Sequence, residues 1–240
     1  MNKRKELEVK DLSVFYKRRT VLQDINFRVH TGSIVGVVGP NGAGKSTLFK
    51  ALLGISYKNT GTILFDQQEL NTYKKNIAYI PQRSHIDWNY PATVWDIVMM
   101  GQISNLGWLG SFSNSTCTLI NSALSRVGIA DLKNCRIGEL SGGQQQRVFL
   151  ARAIVQQASI FFLDEPLAGV DYKTQNVIIG LLKELASKEN KLVLIINHDL
   201  GNIINYFDEL LLLNKTLIKQ DIPLKVLQSK FLHLAYEGAF

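Results

Sequence analysis

The strongest constraint in this sequence is an apolar strand that runs directly into a glycine-rich loop and then into a helix. Ser33-Ile34-Val35-Gly36-Val37-Val38 reads as a strand buried on both faces, the pattern of a parallel sheet. Gly39-Pro40-Asn41-Gly42-Ala43-Gly44-Lys45-Ser46 follows at once, and Thr47 to Gly54 reads as the helix. The loop fits G-x-x-x-x-G-K-[ST] at Gly39, Gly44, Lys45 and Ser46. Its glycines let backbone N–H groups curl around phosphate oxygens, and the helix adds its positive N-terminus. Lys45 reaches β- and γ-phosphates, and the Ser46 hydroxyl is placed to ligate Mg²⁺. A chance glycine turn would not bring the strand, the helix and the whole motif together. The eight loop residues and Thr47 therefore form the expected nucleotide-binding set.

Composition narrows the context. The 240 residues carry a net charge of +7, spread along the chain apart from the short clusters Lys3-Arg4-Lys5 and Lys17-Arg18-Arg19. The charge permits contact with nucleic acid or an anionic membrane surface, but its dispersal reads as a solvated surface and decides nothing alone; with the motifs below, no nucleic-acid partner is expected. No apolar run reaches the ~18 residues that cross a bilayer, and no apolar signal core follows the basic N-terminus. The expectation is a cytosolic protein, free or docked on a membrane protein. Cys117 and Cys135 make neither a disulfide framework nor a zinc cluster.

Leu7 to Tyr16 and Val21 to His30 alternate apolar and polar residues and predict two strands around a turn. Gly61 to Asp66 and Asn76 to Ile80 predict two more. From about Thr93 to Gln157 helical patterns take over, divided by the Gly/Ser-rich segment Gly107 to Ser115. Strands return at Ile160 to Leu163 and Lys191 to Asn197, flanking a helix from about Tyr172 to Lys188. Asp208 to Gln220 predicts a hairpin turning at Asn214-Lys215, and a short helical tail follows. A mixed sheet interrupted by a helical insertion is the simplest α/β architecture.

Two further motifs carry chemistry. Ile160-Phe161-Phe162-Leu163-Asp164-Glu165-Pro166 is a buried strand ending in two carboxylates. Asp164 can hold Mg²⁺ through water, and Glu165 can polarise an attacking water. Together with the phosphate loop, the pair indicates hydrolysis. Leu140-Ser141-Gly142-Gly143-Gln144-Gln145-Gln146-Arg147 opens a helix whose N–H groups are available to a phosphate.

With that motif the chain resembles, over nearly its whole length, the ATP-binding subunit of an ABC transporter. The resemblance implies a P-loop NTPase core with an antiparallel β subdomain and an inserted α-helical subdomain at about 93–157. The nucleotide-binding domain would then span 7–225, with a short tail at 226–240. It implies that Ser141, Gly142 and Gly143 meet the γ-phosphate of ATP held by a second subunit, with Gln144 beside them in the nucleotide-binding set, so that two copies close head-to-tail. Tyr16 matches the aromatic residue that stacks on adenine, and Gln82 the glutamine that senses Mg²⁺ and the membrane partner. Asp171 matches the acidic residue of the loop joining the two sites, and His198 the histidine on the γ-phosphate. The loop reads Leu167-Ala168-Gly169-Val170-Asp171, where many relatives have Ser-Ala-Leu-Asp. The aspartate is retained, but the backbone path can differ.

Tyr79 to Val98 resembles the equivalent stretch in importer ATPases for manganese, zinc or iron, as do Gly107-Trp108-Leu109-Gly110 and Asp164 to Asp171. Manganese ranks first, then zinc, with iron close behind. Trp88, Tyr90 and Trp95 offer an apolar surface beside Gln82 suited to a partner's helix, although Trp95 reads better as packing. His85 and Asp87 fall short of a coordination set. The implied partners are a second ATPase subunit, an integral membrane permease at the cytoplasmic face, and, indirectly, a metal-binding protein that delivers cargo. A soluble ABC ATPase of translation or DNA repair usually has two cassettes or a long coiled coil. This chain has one phosphate loop and no heptad run. A P-loop kinase would not need Ser141-Gly142-Gly143-Gln144 or Glu165.

Overall fold

A computed structural model describes residues 4–17, 19–55, 60–103, 113–201 and 203–236. The chain opens with β1 (Glu6–Tyr16) and β2 (Arg19–His30), then β3 (Ile34–Val38), the glycine loop and α1 (Lys45–Leu52). Three short strands follow, β4 (Thr60–Phe65), β5 (Gln68–Glu69) and β6 (Ile77–Ile80). Next come the helices α2 (Val94–Met99), α3 (Asn114–Arg126) and α4 (Gly142–Val155). The chain then runs through β7 (Ile160–Asp164), α5 (Tyr172–Glu189), β8 (Leu192–Ile196) and the short α6 (Ile203–Tyr206). The hairpin β9 (Glu209–Asn214) and β10 (Thr216–Asp221) precedes α7 (Pro223–Val226) and α8 (Ser229–Tyr236).

The strands form two sheets. One has the order β2-β1-β4-β5 and is antiparallel. The other has the order β10-β9-β3-β8-β7-β6, with every pairing parallel except β10 on β9. Side chains alternate across a strand, so each parallel strand feeds two layers. Val35, Val37, Ile160, Phe162, Leu194 and Leu211 pack toward the antiparallel sheet, with Phe49 of α1. Ile34, Val38, Phe161, Leu163, Ile195 and Leu212 pack toward the helices, against residues such as Val148, Ile179 and Leu182. Burial on both faces explains the near-continuous apolar runs of β3, β7 and β8.

The helices of the insertion start at side-chain caps. Thr93 and Asp96 form a capping box on α2, and Ser141 and Gln144 form one on α4. Ile97, Ile120, Leu124 and Val148 join the insertion into the helical-side core. Several boundaries differ from expectation by one or two residues, and two of the differences have a local cause. The first helix begins at Lys45 instead of Thr47, because Gly44 takes a left-handed φ of 96° and the helix starts immediately after it. The Gly/Ser-rich separator gives way earlier than Ser115, because Ser113 accepts the N–H of Thr116 and caps α3. Gly107 to Gly110, singled out from the sequence, lies outside the described residues. Among the described residues no helix is long and apolar enough to cross a membrane.

Phe162 of β7 and Phe49 of α1 lie with ring centroids 5.2 Å apart, and both are essentially fully buried. They tie the helix after the glycine loop to the strand that ends in Asp164. Phe162→Ala should cost about 3–5 kcal/mol of folding free energy, the range for a large aromatic removed from a core. Urea denaturation of the variant against the parent measures that loss.

Candidate functional site

Parallel strands place all their C-terminal ends along one edge, where open α/β sheets bind ligands. At this edge β3 delivers Gly39, β7 delivers Asp164 and Glu165, β8 leads to His198, and β6 leads to Gln82. Gly39 has φ 148°, and a Cβ there would lie 2.0 Å from the carbonyl oxygen of Leu213, so only glycine fits against β9. The turn after β9 braces the loop further: Lys215 N–H donates to Ala43 O at 2.9 Å, and Gln23 N–H donates to Lys215 O at 2.8 Å.

Lys45 is buried, and its Nζ donates to the carbonyls of Gly39 and Pro40, each at 2.8 Å. Burial lowers the pKa of this ammonium, while the charges of Glu165 and Asp164 pull it back up. Asp164, the last residue of β7, is 3% exposed. Burial, with the Asp164 charge as a lesser cause, pushes the phenol of Tyr79 up to about 12.

Glu165 sits at the centre of the edge. Its backbone takes a left-handed φ of 51°, a strained choice for a non-glycine residue, and its N–H donates to Ile196 O at 3.2 Å. Gln82 Nε2 donates to Glu165 Oε2 at 2.8 Å, and His198 Nε2 hydrogen-bonds Oε1. Three residues predicted from separate parts of the sequence thus meet at one carboxylate. A cavity of about 310 Å³ is lined by Val21, residues 41–47, Glu165 and His198. A second, of about 240 Å³, shares Glu165 and His198 with the first and is lined also by Leu167, Ala168, Gly169 and Asp199.

The remaining predicted residues stand apart from this cluster. Tyr16 is 45% exposed at the outer end of β1, on the strand paired with β2, from which Val21 enters the cavity. Ser141 to Gln144 line neither cavity; Ser141 N–H donates to Gln144 Oε1 at 2.8 Å, closing the cap of α4. Asp171 caps α5 by accepting the N–H of Thr174 at 3.0 Å. The two caps are neighbours, because a Cβ on Gly143 would lie 2.7 Å from Thr174 Cγ2. Nothing in the sequence pattern marks Arg83, which bonds Gln145 at 2.8 Å, or Arg152, whose Nη2 donates to Tyr79 O at 3.1 Å. The only signal available for Arg83 is its place directly after Gln82. The side chain of His85 lies outside the described set.

Residues 22–168 match the ABC transporter family. The chain is 46% identical to a probable ABC transporter ATP-binding protein of Cyanophora paradoxa, over 94% of this chain and 92% of the relative. The chain belongs to the ABC transporter family. It is an ABC ATPase, and its two sheets and helical subdomain are the fold of that family. The ABC ATPase is also 41% identical to the manganese transport system ATP-binding protein MntB of Halalkalibacterium halodurans, over 97% of this chain and 92% of the relative. Among solved structures, it resembles a putative metal-chelate type ABC transporter in an inward-facing conformation. That match has a TM-score of 0.86 and 28% identity, over 97% of this chain and 89% of the other.

The hydrogen bonds that Asp171 accepts from Thr174 hold its carboxyl below the ordinary value. A depressed folded-state pKa contributes stability that is present above the unfolded value and lost as pH falls through the folded one. Asp171→Ala should therefore lower the urea midpoint at pH 7, and the parent and variant midpoints should converge as pH drops below the usual carboxylate range.

Proposed function

We propose that this chain is the ATP-hydrolysing subunit of a membrane importer for a divalent metal ion, with manganese as the first candidate. The observation that carries the hydrolytic part is the Glu165 carboxylate, held by Gln82 and His198 on the wall of the loop cavity. A carboxylate held on both oxygens beside a phosphate loop is suited to orient and polarise a water for in-line attack. Residues 39–47 then hold the phosphates, with Lys45 turning from the carbonyls of Gly39 and Pro40 to the β- and γ-oxygens. His198 contacts the γ-phosphate, and Tyr16 stacks on the adenine from the end of β1.

The residues present fit Mg²⁺. The Ser46 hydroxyl, the Gln82 amide oxygen and the buried Asp164 carboxylate are all hard oxygen donors. Among the described residues no group of three or more His, Cys, Asp and Glu is arranged to hold a metal ion, and Mg²⁺ usually takes its other ligands from phosphates and water. When bound, the ion would neutralise charge on the phosphate oxygens.

Ser141 to Gln144 and Asp171 lie away from the loop cavity and beside one another, which supports a role toward the nucleotide of a second copy. Two subunits would close over two nucleotides, and ATP would favour the closed pair by binding it better than the open one. The nucleotide-binding domain spans 7–225 in this reading, and the pair sits on a permease at the cytoplasmic face of the membrane. Manganese is supported by relatives of that name and by the likeness of Tyr79 to Val98. Zinc stands close behind, since the zinc transport system ATP-binding protein TroB of Treponema pallidum is 40% identical. Chelated iron follows on similar grounds, with YfeB of Yersinia pestis at 41%.

Glu165→Gln should lower phosphate release at saturating ATP by about a hundredfold or more, the scale of losing a general base. The same variant should trap an ATP-bound dimer on size-exclusion chromatography; wild-type turnover would remove Glu165 from the reaction. Uptake of Mn²⁺, Zn²⁺ and Fe²⁺ in cells lacking the protein tests the cargo. Selective loss of Mn²⁺ uptake is the expected result, and unchanged uptake of all three removes the metal reading.

A further inference from the structure

Arg83 follows Gln82 directly, yet its guanidinium points to the other rim of the site. Its Nη2 donates to Gln145 Oε1 at 2.8 Å, in the first turn of α4. Gln145 is itself 5% exposed and fixed by donating Nε2 to Ile137 O at 3.1 Å. A Cβ on Gly142 would lie 2.3 Å from Arg83 Nη1 and 2.9 Å from Cζ, so the guanidinium lies against bare backbone at the start of α4. The same Nη1 would stand 3.8 Å from a Cβ on Gly169, in the loop between Glu165 and Asp171. The plane of the group is set from behind: Cζ lies 5.4 Å from the Trp88 ring, and Trp88 Nε1 donates to the Arg83 carbonyl at 3.0 Å. Trp88 in turn packs edge-on against Phe149 of α4, with centroids 5.8 Å apart. Arg83 Nε is buried without a hydrogen bond, a cost the molecule carries to keep an arginine here.

We propose that Arg83 is a positioning residue that locks the Ser141–Gly143 turn to the Gln82 segment and to the loop after Glu165, so that the surface meeting the second subunit's nucleotide moves with Gln82. The proposal rests on the reading of Ser141 to Gly143 as that surface. Only a planar fork can bond Gln145 while lying flat on Gly142, so lysine is no substitute. The contacts of Arg83 lie on the far rim and not on residues 39–46, so nucleotide capture by one subunit does not depend on it.

The test uses the whole subunit carrying Arg83→Met or Arg83→Lys, alone and in the Glu165→Gln background. Both should keep ATP affinity and KM within about twofold of the parent while kcat falls about tenfold, the scale of one hydrogen bond from a charged donor. ATP-driven pairing of the Glu165→Gln form should need about tenfold more protein once Arg83→Met is added. Undiminished kcat in Arg83→Met, or full rescue by lysine, overturns the proposal. So does a fall in melting temperature with parallel loss of ATP binding, which would make Arg83 a folding residue only. If Glu165→Gln alone does not pair with ATP, the reading of the previous subsection fails, and hydrogen exchange then decides the Arg83 question separately. Amides 143–146 exchanging about tenfold faster in Arg83→Met at unchanged melting temperature support the lock, and unchanged exchange overturns it.

Discussion

Everything at the site depends on the parallel pairing of β3, β8, β7 and β6. Each of these strands is covered on both faces, and their shared direction brings four C-terminal ends to one edge. The register is fixed by side chains of period two, because a slip of one residue would exchange the two core layers. With Val37 opposite Ile196 and Ile196 opposite Asp164, the end of β3 and the carboxylates stand in a row. The chemistry is then a matter of which residues come after each strand. Gly39, Glu165, His198 and Gln82 all lie within two residues of a strand's last position.

The electrostatics of that edge set one cation against two carboxylates. Lys45 is a buried cation held by backbone carbonyls, and Asp164 and Glu165 are the negative charges that favour its protonated form. Glu165 is further held by Gln82 and His198. In the proposed reading, a phosphate entering the loop meets a cation that already has oxygen ligands, so binding exchanges one set of acceptors for another. Burial raises the stakes of this exchange, since unpaired charge is costly in a low-dielectric site.

Much of the outline was legible in the sequence. The apolar runs at Ile34, Ile160 and Leu192 marked central strands because burial on both faces removes polar alternation, and the loop motif marked the turn and helix after the first of them. The hairpin at Asn214-Lys215 was legible for a local reason, a turn with Lys215 at φ 59°. Strand order was not legible, because β6 and β7 pair across the whole helical insertion and no local pattern encodes that contact. The meeting of Gln82, Glu165 and His198 follows from the same long-range pairing. The role of Arg83 is not legible in the sequence, because its partners, Gln145 and the bare backbone at Gly142, are distant along the chain and carry no pattern of their own. The motifs supplied the candidate positions, and the topology explains why Gln82, Glu165, His198 and the glycine loop converge.

The brace on the glycine loop bears on how the chain is made. Ala43 is held by Lys215, and Gly39 is pressed against Leu213, roughly 170 residues further along. A ribosome adding about 5–20 residues per second leaves that loop without its outer wall for many seconds after it emerges. All of the residues between the loop and Lys215 must be synthesised before β9 can seat beside β3. The segment most recognisable in the sequence therefore acquires its finished shape long after its own residues have been made.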